Sequence, residues 1–208
     1  EQKQEGLFGV FVRVPLGNIN TESSRNLIDA LEGYVGNDIR ISINQGLFLR
    51  NVPETNLDYI FSVLNQFGFA EAGANSVVNI TACPGTDTCN LGIASSTGIA
   101  TELERVLATE YPQYSNNREI AIKISGCMNA CGQHNMAEIG FQGMSINSGK
   151  LVAPALQVLL GGGILGNGEG RFSDKVIKIP SRRGPDALRF ILNDFDANGN
   201  GQSFLNYY

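Results

Sequence analysis

Four cysteines, set in two tight pairs, constrain this chain more than any other feature. Cys83 and Cys89 enclose Pro84-Gly85-Thr86-Asp87-Thr88, and Cys127 and Cys131 enclose Met128-Asn129-Ala130. Each pair follows an apolar run of strand type, Val77 to Thr81 and Ile120 to Ile124, and lies in a stretch rich in Gly, Asn, Thr and Pro. Loops at strand ends can aim several side chains at one point. Four thiolates on one point make an iron–sulfur cluster or a zinc site. Zinc ligands usually pair roughly two to four residues apart, which suits Cys127 and Cys131 but not the wider first pair. A cluster is larger than one ion and tolerates unequal pairs. Spacing favours the cluster and leaves zinc, or cysteines that ligate nothing, open.

Composition narrows the setting. With 208 residues, 42% of them hydrophobic, the chain can bury a core in one large domain or two small ones. The net charge of −5 and the absence of a Lys/Arg cluster argue against a nucleic-acid partner. The longest apolar stretch, Leu151 to Leu160, is too short to span a bilayer and runs into glycines, so no membrane is expected. No signal-peptide pattern is present, and few cysteines without one suggest a reducing, cytoplasmic compartment. The chain begins Glu1-Gln2-Lys3 and stops on Tyr207-Tyr208, and reads as a piece of a longer protein.

Along the chain, Leu7 to Val14 reads as a strand. Asn20 or Thr21 caps a helix to about Val35, with Leu27, Ile28 and Leu31 on one face. Asp38 to Ile43 alternates isoleucine with polar residues, as a half-buried strand does. Asn44-Gln45-Gly46 turns into a strand over Leu47 to Arg50, and a helix over Thr55 to Phe67 ends at Gly68. The order β-α-β-β-α is a ferredoxin-like half unit, and the small, polar stretch Glu71 to Ser76 marks a boundary. Beyond it come the strand Val77 to Thr81, a helix from Ser95 to Ala108, and the strand Glu119 to Ile124. A strand from Ala137 to Phe141 follows, with a hairpin through Gly143. Strands Val152 to Leu160 and Lys175 to Ile179 are joined by a glycine-rich loop, and a last helix runs from Pro185 to Asn193.

The residues around the cysteines sharpen the reading. Thr81-Ala82-Cys83-Pro84-Gly85-Thr86-Asp87-Thr88-Cys89-Asn90-Leu91-Gly92, Ser125-Gly126-Cys127-Met128-Asn129-Ala130-Cys131-Gly132-Gln133 and Ala137-Glu138-Ile139-Gly140-Phe141 closely resemble the sirohaem and [4Fe–4S] nitrite/sulfite reductase family. Gln4 to Gly17, Arg40-Ile41-Ser42 with Gln45, and Ile177 to Pro185 extend the resemblance over nearly the whole chain. It implies an α+β fold: a ferredoxin-like half domain over residues 1–72, then a catalytic-type α/β sandwich domain over 76–208. It also implies that Cys83, Cys89, Cys127 and Cys131 ligate a [4Fe–4S] cluster, that Cys131 bridges to sirohaem, and that Arg40 and Gln45 border the sirohaem carboxylates. The implied activity is the six-electron reduction of nitrite to ammonia, or of sulfite to sulfide. Gly132-Gln133-His134 after the last cysteine points to nitrite. The implied partners are a small anion and an electron donor such as ferredoxin or a flavoprotein.

Two lysines of the family's substrate-binding halves correspond to Glu119 and Ala121 here. That departure makes the chain the cluster half, whose missing N-terminal half carries the anion-binding cations. Alone, it is then expected not to turn over and to lose one or both cofactors. The alternatives are a small reductase that dimerises and an electron-transfer or structural metal module without chemistry of its own. Among weaker signals, His134 is read as a loop residue without a chemical role. Arg50 is grouped with Arg40 and Gln45 about the first hairpin. Arg182-Arg183 is read as surface, Gly161 to Gly166 as a loop and not a dinucleotide site, and Asp196 to Gly201 as an incomplete EF-hand.

Overall fold

A computed structural model describes every residue from Glu1 to Tyr208 except Asn37, Asn167 and the side chain of Ser148. The chain divides into two compact units, Glu1–Asn75 and Ser76–Tyr208.

The first unit contains β1 (Leu7–Val12), α1 (Thr21–Leu31), β2 (Ile39–Ile41), β3 (Leu47–Pro53) and α2 (Leu57–Gln66). Its antiparallel sheet has the order β1-β3-β2. Leu27 and Leu31, one helical turn apart, meet Val12, Leu49, Val52, Ile60, Val63 and Leu64 in one core. Asn20 caps α1 as the sequence suggests, its Oδ1 accepting the Ser23 N–H at 2.8 Å. The helix stops at Leu31, short of Val35, because the chain turns at Gly33 with φ +81°. Past α2, the Phe69 N–H reaches back to the Leu64 carbonyl at 2.7 Å and closes the end at Gly68. The half-buried strand expected over Asp38 to Ile43 is corrected. β2 has only three residues, and Ile41 is 84% exposed. As an edge strand, β2 contributes nothing to a core drawn from β1, β3 and the two helices.

The second unit contains β4 (Thr81–Ala82), α3 (Ser96–Glu110), β5 (Ile122–Ser125), β6 (Ile139–Ser148), β7 (Leu151–Leu160), β8 (Gly163–Gly166), β9 (Glu169–Arg171), β10 (Asp174–Pro180), α4 (Gly184–Asn198) and α5 (Phe204–Tyr207). The main sheet has the order β10-β7-β6-β5-β4. β4, β5 and β6 run parallel, while β7 and β10 are antiparallel to their neighbours. Ile122, Ile124, Ile139, Phe141 and Leu156 are fully buried, as are Leu103 and Leu107 of α3 and Leu188 and Leu192 of α4. The two helices are also joined by polar contacts. Arg189 of α4 donates twice to Glu110 of α3 at 2.7 Å, and the hydroxyl of Tyr114, in the turn after α3, donates to Asp196 of α4 at 2.5 Å.

Several expectations are corrected here. The apolar run Val77 to Ile80 is buried but lies in turns, and the strand is only Thr81–Ala82. β6 continues straight past Gly143 and reverses after Ser148. The glycine-rich stretch is the expected link between β7 and β10; it carries the hairpin β8–β9 and, among its described residues, no helix. α4 extends to Asn198, so Asp196 and Asn198 are helical and the EF-hand resemblance lapses.

Candidate metal centre

Ala82 of β4 lies opposite Ile124 of β5, and the strands are parallel. Both cysteine loops therefore leave the same end of adjacent strands, where open α/β sheets place their ligands. The Cys83 N–H donates to the Ile124 carbonyl at 3.2 Å, and its Sγ accepts the Gly126 N–H at 3.1 Å. Ser96 Oγ, at the start of α3, lies 3.6 Å from the same sulfur. The Gly126 carbonyl accepts both the Ile93 and Ala94 N–H groups, at 2.9 and 3.1 Å. The loops are thus one hydrogen-bonded body.

Close backbone approach explains two glycines. A Cβ on Gly132 would stand 2.0 Å from the Ile124 carbonyl oxygen, and one on Gly143 would stand 2.2 Å from that of Gly126. Gly143 serves as the floor beneath the second cysteine loop, which is why it is not the turn its residue type suggested.

None of the cysteines is in a disulfide. Cys127 is buried, Cys83 partly buried, and Cys89 and Cys131 exposed. Among the described residues, no three His, Cys, Asp or Glu side chains are gathered as a set for a single ion. A zinc site would draw four ligands to within about 2.3 Å of one point. A cubane instead takes each thiolate at a separate iron. The chemistry of the donors fits as well, since a backbone N–H already directed at Cys83 Sγ stabilises a thiolate. Leu91 and Ile93, shortly after Cys89, and Met128, next to Cys127, are exposed apolar side chains, Met128 to 76%. An apolar rim of this kind suits a flat macrocycle or a protein face. A separate apolar groove of about 600 Å³, lined by Val158, Ile177, Phe190 and Tyr208 among others, contains none of the cysteines.

Behind the second loop lies a polar layer that sequence reasoning missed. Lys123, Ser125, His134, Glu138 and Gln142 are all buried. The signal was present in Ile120-Ala121-Ile122-Lys123-Ile124-Ser125, where polar residues alternate with isoleucines on a strand. His134, read as a loop residue without a role, is instead 3% exposed in a short 3-10 turn, its Nδ1 without a hydrogen-bond partner. Burial first, and then the charge of Lys175, push its pKa down to about 4, against a hydrogen bond with Gln142. Because the folded value lies below the unfolded one, the unfolded chain takes up the proton first as pH falls. Stability is present above about pH 6.5 and is lost toward about pH 4. Urea unfolding should therefore show wild type losing about 2 kcal/mol more than His134→Gln between pH 7 and pH 5. Equal losses in the two proteins would remove His134 as the cause.

Arg40 and Gln45 belong to the first unit and the four cysteines to the second. Arg40 donates to Asp38 at 2.9 and 3.2 Å, and Arg50 to the same carboxylate at 2.5 Å. The guanidinium of Arg40, above all, holds the Asp38 pKa below its usual value. Gln45, with φ +61°, forms the turn between β2 and β3. In the second unit, Glu119 is exposed, while the Ala121 N–H donates to Glu138 Oε2 at 2.8 Å. Arg183 pairs with Asp186 on the surface at 2.8 Å.

The family profile described as "Nitrite and sulphite reductase 4Fe-4S domain" matches residues 73–204. The "Nitrite/Sulfite reductase ferredoxin-like half domain" matches residues 1–67. A ferredoxin–nitrite reductase of Synechococcus elongatus is 25% identical over 92% of this chain and 36% of its own length. A sulfite reductase [ferredoxin] of Mycolicibacterium paratuberculosis is 28% identical over 77% of this chain and 30% of its own. The chain thus spans about a third of the curated relatives it matches. The solved structure of the Mycobacterium tuberculosis NirA protein superposes with a TM-score of 0.81 at 24% identity, covering 98% of this chain and 38% of that one. This agreement establishes the mixed α and β fold.

Proposed function

The chain belongs to the nitrite/sulphite reductase family, and on that premise we propose that it is the cluster-bearing part of a sirohaem-dependent reductase. The observation that carries the reading is the joining of two cysteine loops through the Gly126 backbone at adjacent parallel strand ends. Residues 1–72 form the ferredoxin-like half domain and 76–208 the cluster domain. Cys83, Cys89, Cys127 and Cys131 would hold a [4Fe–4S] cluster, with Cys131 the cysteine shared with sirohaem. When bound, this pair supplies single electrons in sequence for a six-electron reduction.

The chain's own residues hold and shield. The Gly126 N–H tunes the sulfur of Cys83, while the Ser96 hydroxyl donates to the Cys83 carbonyl at 2.6 Å and fixes the loop. Leu91, Ile93 and Met128 form an apolar rim that excludes water from the exposed thiols once it is covered. Arg40 and Gln45 of the first unit would hold carboxylates of the macrocycle. The segments 83–93 and 126–133 contain no Lys or Arg, although an oxyanion needs cations to bind. Those cations come from a second half-repeat, and this chain alone does not turn over. Nitrite is the substrate and ferredoxin the donor.

The test is a parallel assay of the whole protein, with reduced ferredoxin, for ammonium from nitrite and sulfide from sulfite. Ammonium as the faster product supports the reading, sulfide as the faster product reverses the substrate, and neither leaves an electron-transfer or structural module.

A further inference from the structure

We propose that Lys123 is a positioning residue for Cys131, acting from beneath the loop through Gln133. Alternate residues of a strand share a face, so β5 presents Lys123 and Ser125 together while Ile122 and Ile124 fill the core. Both polar side chains grip the two residues that follow Cys131. Ser125 Oγ accepts the Gly132 N–H at 3.0 Å, and Lys123 Nζ donates to Gln133 Oε1 at 2.9 Å.

The loop needs such a grip. Ala130 and Gln133, on either side of Cys131, have φ of +57° and +60°. Side chains with a Cβ rarely adopt that region, and such strain persists only where the surroundings over-determine it. Lys123 is itself 8% exposed, and a buried ammonium is costly unless it is hydrogen-bonded and near opposite charge. Gln133 supplies the hydrogen bond, and the buried Glu138 supplies the charge. An apolar residue would fill the position at lower cost, so the lysine is there for what its ammonium holds. That Cys131 carries a cluster rests on the function proposed above; the grip itself does not.

Two readouts separate these claims. In the whole chain without metal, Lys123→Met should speed amide hydrogen exchange at Gly132 and Gln133 at least tenfold, leaving Cys89 and Gly92 unchanged. Lys123→Arg should restore protection. Should Lys123→Met fail to fold, Gln133→Ala removes the same hydrogen bond from the loop side and should expose the Gly132 amide equally. Unchanged exchange at Gly132 in the folded variant overturns the grip. In the reconstituted protein, Lys123→Met should shift the cluster's reduction equilibrium about tenfold toward the oxidised form, near 59 mV for one electron. Lys123→Arg should not. A grip lost with no change in potential overturns the positioning of Cys131. A wild-type chain that assembles no cluster overturns the proposed function and leaves the exchange result to judge the grip.

Discussion

Changing Cys127 to serine should leave the anaerobically reconstituted protein with less than about a tenth of the wild-type iron and acid-labile sulfide. A cubane of this class is held by four thiolates. A serine hydroxyl is nearly the same size but is not ionised near neutral pH, so it offers no thiolate to iron. Cys127 is 7% exposed and lies in the loop that the Gly126 carbonyl and N–H tie to the first pair. No neighbouring cysteine stands ready to replace it, since the chain has only four. The isosteric change should leave the circular dichroism spectrum intact, so the loss would report ligation and not unfolding. Full iron and sulfide in this variant would remove Cys127 from the ligand set.

Gly132→Ala should cost at least about 3 kcal/mol of stability in urea and also prevent cluster assembly. The new methyl would lie 2.0 Å from the Ile124 carbonyl oxygen and 3.1 Å from the Cys83 nitrogen. Both obstacles are backbone, one of them on a buried strand, so neither can rotate away. Gly149→Ala provides the contrast. It has φ +63° with nothing within 4 Å of the new methyl, and should cost only about 1–2 kcal/mol. Equal midpoints for the two variants would show that the tight approach at Gly132 does not hold the loops together.

Local chemistry made much of this fold legible. The cap at Asn20 and the turn at Gly68 each satisfy backbone groups through a neighbour in sequence, so residue type was enough. The cysteine loops announced themselves for the same reason. What the sequence hid depends on distant partners. Ile39, Ile41 and Ile43 had the period of a half-buried strand, but the core is closed by β1, β3 and the helices, and the edge strand is left outside it. Val77 to Ile80 had the apolarity of a strand, yet the run is buried in turns, with the Asn79 N–H bonded to the Ser76 carbonyl. Gly143 resembled a turn because a glycine needed for close approach cannot be told from one needed for conformational freedom. Asp196 resembled a calcium ligand, while its carboxylate is occupied by the Tyr114 hydroxyl between α3 and α4. Lys123 and Ser125 were concealed among isoleucines, their role visible only once Gly132 and Gln133 were in place.

The central claim is that Cys83, Cys89, Cys127 and Cys131 hold one [4Fe–4S] cluster. Its most direct test is to count iron, acid-labile sulfide and zinc per chain in the protein purified without oxygen. The account predicts about four sulfides per chain, at least about four irons, and no stoichiometric zinc. One zinc per chain with no sulfide would contradict it.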